Sequence, residues 1–312
     1  MSVKRKVSIV IPVFNEAGVI EKTQLNILAA IDSLPYDFSV YYVDDGSSDG
    51  TDAILEAIAT RDGRFRPLIL SRNFGHQAAL TAGLDHADGD VIISMDGDGQ
   101  HPPELIGEMV NLVEQGYDIV QAQRIEEAGP LSFKKFTSGA FYALLNRISG
   151  TRVQPGAADF RALSRQALDA LKTMPEYHRF LRGMIAWMGY RSLILPYHEP
   201  KRVAGKSKYS LAKMLRLASD AVFSFSLMPL YIGLSVGGIF LILALVQIVY
   251  VLSLWATGQY DRIVPGWSSL MAIMLIASGI IMILLGFIGV YVGYIFQQVK
   301  GRPVYLLKHK RE

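Results

Sequence analysis

The chain has 312 residues, of which 51% are hydrophobic and 19% charged, so it can form one large domain with an appended segment. Its formal net charge of +3 is too small to indicate a nucleic-acid partner. It contains no cysteine, which excludes disulfides and thiolate metal sites. The apolar residues are concentrated in the last third of the chain, which indicates attachment to a membrane.

The first 123 residues alternate strand-like and helix-like patterns. We predict strands at 7–11, 38–43, 65–70, 91–95 and 118–123, and helices near 17–33, 51–60, 77–87 and 103–115. This alternation is typical of an α/β fold in which a mostly parallel sheet carries helices on both faces. Ligands bind such sheets beyond the carboxyl ends of the strands, so the residues at those ends are informative.

Polar or charged residues follow all five predicted strands. They are Pro12–Glu16, Asp44–Gly50, Ser71–Gly75, Asp96–Gln100 and the pair Gln123-Arg124. One polar strand end is ordinary turn chemistry. Five of them on one rim, with acids, arginines and glycines mixed, indicate a ligand site.

The fourth strand end carries two carboxylates one residue apart. Asp96 and Asp98, with Gln100, can supply oxygen ligands to a divalent cation, Mg²⁺ or Mn²⁺. Asp45–Glu56 has the ligand spacing of a calcium-binding EF-hand loop, but a strand precedes it, so we reject that interpretation. Asp96–Gly99 also resembles the nucleophile loop of haloacid dehalogenase-like phosphatases, although Gln100 stands where threonine or valine is usual. The residues alone leave that alternative open.

Two long segments lack any charged residue, Ala221–Tyr260 and Ile263–Val299. Each exceeds the roughly 20 apolar residues that span a bilayer. We predict transmembrane helices at 229–255 and 266–298. Glycines at positions 237, 238, 286 and 293 would let helices approach closely, which is compatible with a homo-oligomer.

Basic residues flank the two spans. They cluster at Lys201–Arg216 and Lys300–Arg311, whereas the connecting loop carries only Arg262. The positive-inside rule therefore predicts a multi-pass inner-membrane protein whose termini and N-terminal domain face the cytoplasm. The predicted parts are a domain at 1–210, an amphipathic juxtamembrane helix at 211–228, the two spans and a basic tail at 299–312. Residues 133–148 are either a second interfacial helix or a helix packed on the domain.

Four motifs in order, together with the paired spans, resemble family-2 glycosyltransferases of the GT-A fold. The motifs are Pro12–Glu16, Asp44–Ser47, Asp96–Asp98 and Gly205–Tyr209. The closer resemblance, over nearly the whole chain, is to polyprenyl-phosphate glycosyltransferases such as dolichol-phosphate mannose synthases and bactoprenol glucosyltransferases. It implies an inverting, metal-dependent transfer of a sugar from a nucleotide sugar to polyprenyl (undecaprenyl) phosphate. UDP-glucose is the first donor to consider, and UDP-N-acetylglucosamine, GDP-mannose and a UDP-aminoarabinose derivative stay open.

The resemblance also implies roles for individual residues. The nucleotide-sugar site would comprise Pro12, Phe14, Glu16, Asp45, Arg72, Asp96 and Gly97. Metal ligands would be Asp96, Asp98 and Gln100, and the catalytic acids Asp98 and Asp159. Phosphate-binding cations would be Arg124, Arg202, Lys206 and Lys208.

Several of these roles have alternatives. Asp45 could instead cap the following helix, Arg72 could form a surface salt bridge, and the cations before the first span could contact anionic lipid. Asp159 is the obvious general base. However, the second pKa of a phosphate monoester is about 6, so the acceptor needs little deprotonation. Asp159 would then orient the sugar or acceptor, cap a loop, or be neutralised by Arg161.

Two functional rivals remain. A processive polysaccharide synthase would normally carry a Gln-x-x-Arg-Trp motif and more spans, and this sequence has neither. A non-catalytic membrane scaffold could bind a sugar nucleotide without needing the acids. The presence of Asp96, Asp98 and Asp159 together favours an enzyme.

Overall fold

The computed structural model describes residues 4–125, 157–177, 179–198, 228–258 and 266–308. The chain divides into two compact units. One contains Met1–Ala218 and Arg302–Glu312, and the other contains Ser219–Gly301. The predicted helix at 133–148, all but the last residue of the predicted helix at 211–228, and the cations Arg202, Lys206 and Lys208 lie outside the described residues.

The first unit is built on a seven-stranded sheet. Its strands are β1 (Lys6–Val13), β2 (Asp37–Asp44), β3 (Phe65–Ile69), β4 (Val91–Ser94), β5 (Ile119–Arg124), β6 (Ala157–Ser164) and β7 (Ser192–Tyr197). Their spatial order is β3-β2-β1-β4-β6-β5-β7, and β6 alone runs antiparallel to its neighbours. The predicted mostly parallel α/β sheet is confirmed.

Helices follow the strands along the chain. They are α1 (Ile20–Ile31), α2 (Thr51–Arg61), α3 (His76–His86), α4 (Ile106–Glu114), α5 (Arg165–Lys172) and α6 (Leu181–Trp187). The apolar pattern of α4 shows why they form: Ile106, Met109, Val110 and Val113 recur at helical spacing and are all buried. By contrast, β1 is buried continuously from Val7 to Val13, as expected for a central strand covered on both faces.

The five predicted strands and four predicted helices are confirmed to within a few residues, but β6 and β7 were not predicted. Strand β6 could not be recognised from the sequence because Asp159 and Arg161 lie within it. Both side chains are buried, at 3% and 1% exposure. Buried charges interrupt the apolar alternation by which a strand is recognised.

The second unit consists of α7 (Met228–Ala256) and α8 (Trp267–Val299), which pack against each other. Within the described residues, one segment is long and apolar enough to cross a membrane, Ile276–Val299 in α8. Its apolar side chains are exposed, as at Ile281 and Met282. The first predicted span is helical, and its insertion stays a prediction.

Candidate active site

The strand register brings distant residues to one rim of the sheet. Because β1 to β4 are parallel, their carboxyl ends lie at the same edge, with Val13 beside Asp44 and Asp44 beside Ile69. The antiparallel β6 pairs Ser94 with Arg161, so its first residues reach the same edge. Asp159 therefore lies beside the loop that follows β4, although the two are far apart in the sequence.

Hydrogen bonds fasten the loop after β1 to the loop after β2. Asn15 donates its backbone N–H to Ser47 Oγ (2.8 Å), and Ser48 donates its N–H to Asn15 Oδ1 (2.9 Å). Glu16 N–H donates to Thr51 Oγ1 (3.1 Å). Asn15 adopts a left-handed backbone conformation (φ +53°), which asparagine tolerates better than most residues. The two loops thus form one interlocked surface at this rim.

Asp45 fixes the loop Ser71–Gly75, here called the β3–α3 loop. Its buried carboxylate accepts N–H bonds from Phe74 (2.7 Å) and Gly75 (2.9 Å). Burial raises the pKa of Asp45, and these two N–H bonds oppose that rise. Next to it, a Cβ on Gly46 (φ +70°) would lie 2.4 Å from the Arg72 carbonyl carbon. The end of β2 and the β3–α3 loop are therefore in direct backbone contact.

The alternative in which Asp45 caps the following helix is wrong. Helix α2 begins after Gly50, which provides no side-chain cap. It is Asp49 that accepts the Thr51 N–H, at 3.1 Å. The carboxylate of Asp45 instead binds the β3–α3 loop, which is also where a ligand of the rim would contact the chain.

Two planar side chains are presented at this rim. Phe14 is 40% exposed. The Arg72 guanidinium lies 4.1 Å from the centre of the Phe74 ring and donates to Asn73 O at 3.0 Å. No salt bridge of Arg72 occurs within the described part of the chain. An aromatic face and a guanidinium plane are suited to stacking on a nucleotide base. Pro12, in contrast, is buried within β1.

The loop after β4 offers oxygen atoms. Gln100 N–H donates to Asp98 Oδ1 (3.1 Å), and the buried Asp96 Oδ1 has no hydrogen-bond partner among the residues that the structure describes. A Cβ on Gly97 would lie 2.6 Å from Val13 Cγ1, so this position has no room for a side chain. An unsatisfied buried carboxylate oxygen, a second carboxylate and an amide oxygen fit Mg²⁺ or Mn²⁺.

The described residues contain no cluster of three His, Cys, Asp or Glu side chains that could hold a metal ion. A hard cation held at this loop would take its remaining ligands from water and substrate phosphates, as Mg²⁺ commonly does.

His101 supports Asp96 from below. Its Nδ1 accepts the Asp96 backbone N–H (2.8 Å), which places the proton of the neutral ring on Nε2. That Nε2 lies 3.6 Å from Asp96 Oδ2. The ring is buried and stacks on Phe160, with centroids 4.9 Å apart. His101 therefore contacts both the backbone and the carboxylate of Asp96 at the end of β4.

Asp159 is the centre of a buried ionic network. Arg182 donates from Nε to Asp159 Oδ1 (3.0 Å) and from Nη2 to Oδ2 (2.9 Å). Arg161 Nη2 lies 2.7 Å from Oδ1, so the predicted neutralisation by Arg161 is present and Arg182 adds to it. His76 Nε2 lies 3.2 Å from Asp159 Oδ2 and 3.7 Å from Asp96 Oδ1. The loop-capping interpretation is wrong, because Asp159 lies within β6.

The network fixes the protonation of Asp159. Burial alone would raise the pKa of Asp159, but Arg182, His76 and Arg161 together hold it well below its usual range. The His76 side chain is 44% exposed at the rim, so desolvation lowers its pKa only in part, and the hydrogen bond to Asp159 and the charge of Asp96 raise the pKa above its usual value. A carboxylate so strongly ionised is a weak proton acceptor.

Of the four predicted phosphate-binding cations, Arg124 is the one that lies within the described residues. Arg124 ends β5, whose residue Gln123 pairs with Ala157 at the start of β6, so its backbone reaches the rim. Arg124 is exposed there.

Sequence analysis missed three residues of this site, His76, His101 and Arg182. His76 and His101 each directly follow a polar strand end that was recognised, and that adjacency was the available signal. Arg182 lies on α6, away from any motif, and only the fold brings it to Asp159.

The sheet and its rim define an α/β protein with a ligand site at the strand ends. The profile of glycosyl transferase family 2 matches residues 8–172. The chain belongs to this family and is a glycosyltransferase with a GT-A-like fold. Membership overturns the haloacid dehalogenase-like alternative and the non-catalytic scaffold.

The chain is similar over nearly its whole length to curated relatives. It is 38% identical to an uncharacterized glycosyltransferase of Bacillus subtilis, over 96% of this chain and 93% of the relative. It is 36% identical to a prophage-derived bactoprenol glucosyl transferase of Shigella flexneri, with 97% of each covered. A prophage bactoprenol glucosyl transferase homolog of Escherichia coli is 34% identical, over 98% of this chain and all of the relative.

Solved structures are more distant. Glucosyl-3-phosphoglycerate synthase from Mycobacterium tuberculosis, in complex with Mn²⁺, UDP and glucosyl-3-phosphoglycerate, is 17% identical with a TM-score of 0.47. That comparison covers 70% of this chain and 78% of the other.

Proposed function

We propose that this protein transfers a sugar, with glucose from UDP-glucose as the first candidate, to polyprenyl phosphate at the cytoplasmic face of the membrane. The observation that carries the proposal is that His76 lies between Asp159 and Asp96 at the rim of a family-2 domain. The full-length similarity to bactoprenol glucosyl transferases supports the lipid acceptor. Inversion of the anomeric centre is part of the proposal.

The nucleotide would bind across the ends of β1, β2 and β3. Phe14 and Arg72 would stack on or border the base, and the interlocked loops carrying Glu16 would border the ribose. Asp45 serves this site through the β3–α3 loop, whose N–H groups it holds. Asp45 could also accept a hydrogen bond from the base, because the bonds to Phe74 and Gly75 do not use all the lone pairs of its carboxylate.

The donor diphosphate would lie at the loop after β4. Asp98, with Asp96 and Gln100, would hold Mg²⁺ or Mn²⁺, which supplies positive charge to a leaving diphosphate. Gly97 lets this loop lie against β1, because a Cβ atom at that position would meet Val13. Arg124, which is exposed at the end of β5, would add a further cation.

Asp159 would orient groups rather than remove a proton. Its carboxylate is already shared among Arg161, Arg182 and His76, and its pKa is held well below the usual range. The acceptor phosphate has a second pKa of about 6 and needs little help to ionise at neutral pH. Asp159 then fixes Arg182 and His76 at the rim, where they meet the sugar or the acceptor phosphate.

The acceptor would come from the bilayer. Its phosphate would be drawn to Arg202, Lys206 and Lys208, which precede the first predicted span in the sequence. The exposed apolar surface of α8 supports membrane attachment. A lipid phosphate can then meet the rim while its tail stays in the bilayer.

The test is direct. The purified full-length protein, Mg²⁺ and undecaprenyl phosphate are incubated separately with UDP-glucose, UDP-N-acetylglucosamine, GDP-mannose and a UDP-aminoarabinose derivative. Extraction into organic solvent and mass spectrometry should show one lipid-linked sugar, expected to be glucose. A different sugar on the lipid would correct the donor alone, and no lipid-linked product from any donor would refute the proposal.

A further inference from the structure

Residues 304–308 of the first unit pair with the residues that directly follow β3, through an isolated β-bridge. Residues 304–308, here called the C-terminal strand, run antiparallel to the end of β3, with Leu70 and Leu307 forming the bridge. Ser71 N–H donates to Leu306 O (2.8 Å), and Lys308 N–H donates to Ile69 O (2.8 Å). Since β3 is the outermost strand, this pairing covers an edge that would otherwise expose its polar backbone groups.

Side chains on both faces of the C-terminal strand hold it in place. Tyr305 faces α3, where its hydroxyl donates to Asp85 Oδ2 (3.2 Å) and its ring lies 6.3 Å from that of His86. Burial and the charge of Asp85 raise the pKa of Tyr305 to about 12, so this hydroxyl keeps its proton. Lys308 faces α2 and lies 3.6 Å from Asp52. Together these contacts anchor the C-terminal strand to the helices on either side of β3.

The site of attachment is the start of the β3–α3 loop. Leu70 donates its N–H to Asp44 O on β2 (2.9 Å), and Ser71 donates to the C-terminal strand. The loop then contains Arg72, whose guanidinium lies over the Phe74 ring, and Gly75, whose N–H donates to Asp45. The loop is thus tied at one end by the C-terminal strand and at the other by Asp45.

We propose that the C-terminal strand positions the β3–α3 loop for the nucleotide sugar, so that donor binding depends on the last residues of the chain. The inference rests on the proposed use of this loop in the donor site. Because the strand follows α8 directly in the chain, the same residues connect the membrane anchor to the donor site. Loosening the strand should weaken donor binding and leave the chemical step largely unchanged.

A matched pair of variants at one position separates the backbone bond from the charge. In the full-length protein, Lys308→Pro removes the N–H that donates to Ile69, whereas Lys308→Ala removes only the exposed ion pair. We expect Lys308→Pro to raise the donor KM about fivefold, the effect of one lost backbone hydrogen bond, with kcat within about twofold. Lys308→Ala should change the donor KM by less than about twofold, since exposed ion pairs contribute little.

A second readout needs no substrate. Hydrogen exchange at the amides of Phe74 and Gly75 should be faster in Lys308→Pro than in Lys308→Ala. Equal exchange and equal KM in the two variants would overturn the proposal. If Lys308→Pro does not fold, Tyr305→Phe, which loses only the bond to Asp85, should raise both the donor KM and the exchange rate, and no change in either would overturn it. If the wild type forms no lipid-linked sugar, the proposed function fails, and the exchange comparison still decides the role of the strand.

Discussion

In the candidate active site, Asp159 is an ionised carboxylate that orients the neighbouring side chains. Arg161 and Arg182 hold both its oxygens, and His76 completes the network. Because its pKa is depressed, the charge is present above that low value and is lost only as the pH falls through it, below the usual range for aspartate. Asp159 should therefore not titrate at any pH at which the enzyme works.

This gives a prediction for Asp159→Asn. We expect kcat to fall about 100-fold, because misplaced groups at a reacting centre cost that much. The pH profile of kcat/KM between about pH 5 and 8 should keep its shape. Both enzymes carry His76→Gln in this comparison, since His76 has a raised pKa and would titrate in the same range. An acid limb present in His76→Gln and absent in the double variant would show that Asp159 is a general base.

The residues that could be predicted from sequence are those with local signals. Asp96 and Asp98 directly follow an apolar strand, so their place at a strand end could be inferred from neighbouring residues. The bonds that Asp45 accepts from Phe74 and Gly75 could not, since they cross from one loop to another. Arg182 meets Asp159 only because α6 folds back against the start of β6.

At the scale of elements, the rim is a set of loops fastened to one another. Gly46 illustrates how tight the fit is, because its missing side chain lets β2 approach the backbone of Arg72. Both Gly46 and Gly50 have a positive φ, at +70° and +90°, but a Cβ atom would have a neighbour within 4 Å only at Gly46. Alanine at position 50 would therefore introduce backbone strain alone, whereas alanine at position 46 would introduce backbone strain and a steric clash with Arg72.

We predict that Gly46→Ala weakens UDP binding about tenfold, whereas Gly50→Ala leaves it within about twofold. Both variants should lose about 1–2 kcal/mol of stability from the left-handed conformation. Gly46→Ala should lose about 1–3 kcal/mol more from overpacking. Thermal denaturation and isothermal titration with UDP measure these effects. Equal UDP affinities in the two variants would mean that the contact with Arg72 does not shape the donor site.

The parallel part of the sheet was predictable because each strand is a short apolar segment with polar residues at its end. Strand β6 was not, because its buried Asp159 and Arg161 make it resemble a loop. Its antiparallel direction is the feature that matters for function, since it brings Asp159 to the rim. Neither the existence of β6 nor its antiparallel direction leaves a pattern in the neighbouring residues, so both can be seen only in the folded structure.

At the scale of the whole molecule, the chain combines a unit that carries the family-2 sheet with a helical unit that exposes apolar side chains. Within the described residues α8 carries the segment apolar enough to cross a membrane. The predicted pair of spans also requires that residues 229–255 cross the membrane. Because the sequence contains no cysteine, single cysteines can be introduced to test this.

Single cysteines at Gln259→Cys and Lys310→Cys should report opposite sides of the membrane. In intact cells a membrane-impermeant maleimide should label the cysteine at 259, between the two predicted spans. The cysteine at 310 should react only after the membrane is permeabilised, because both termini are predicted to face the cytoplasm. Labelling of both sites, or of neither, in intact cells would contradict the hairpin.

The central claim is that the acids after β4 serve sugar transfer to a lipid phosphate, and Asp98→Ala tests it most directly. The matched control is Asp90→Ala, at the opposite end of the same strand, where the carboxylate accepts the Lys6 N–H (3.0 Å). With a radiolabelled donor, Mg²⁺ and undecaprenyl phosphate, we predict that Asp98→Ala loses about 100-fold or more of the lipid-linked sugar. Asp90→Ala should keep transfer within about threefold of wild type. Wild-type transfer by Asp98→Ala would contradict the account.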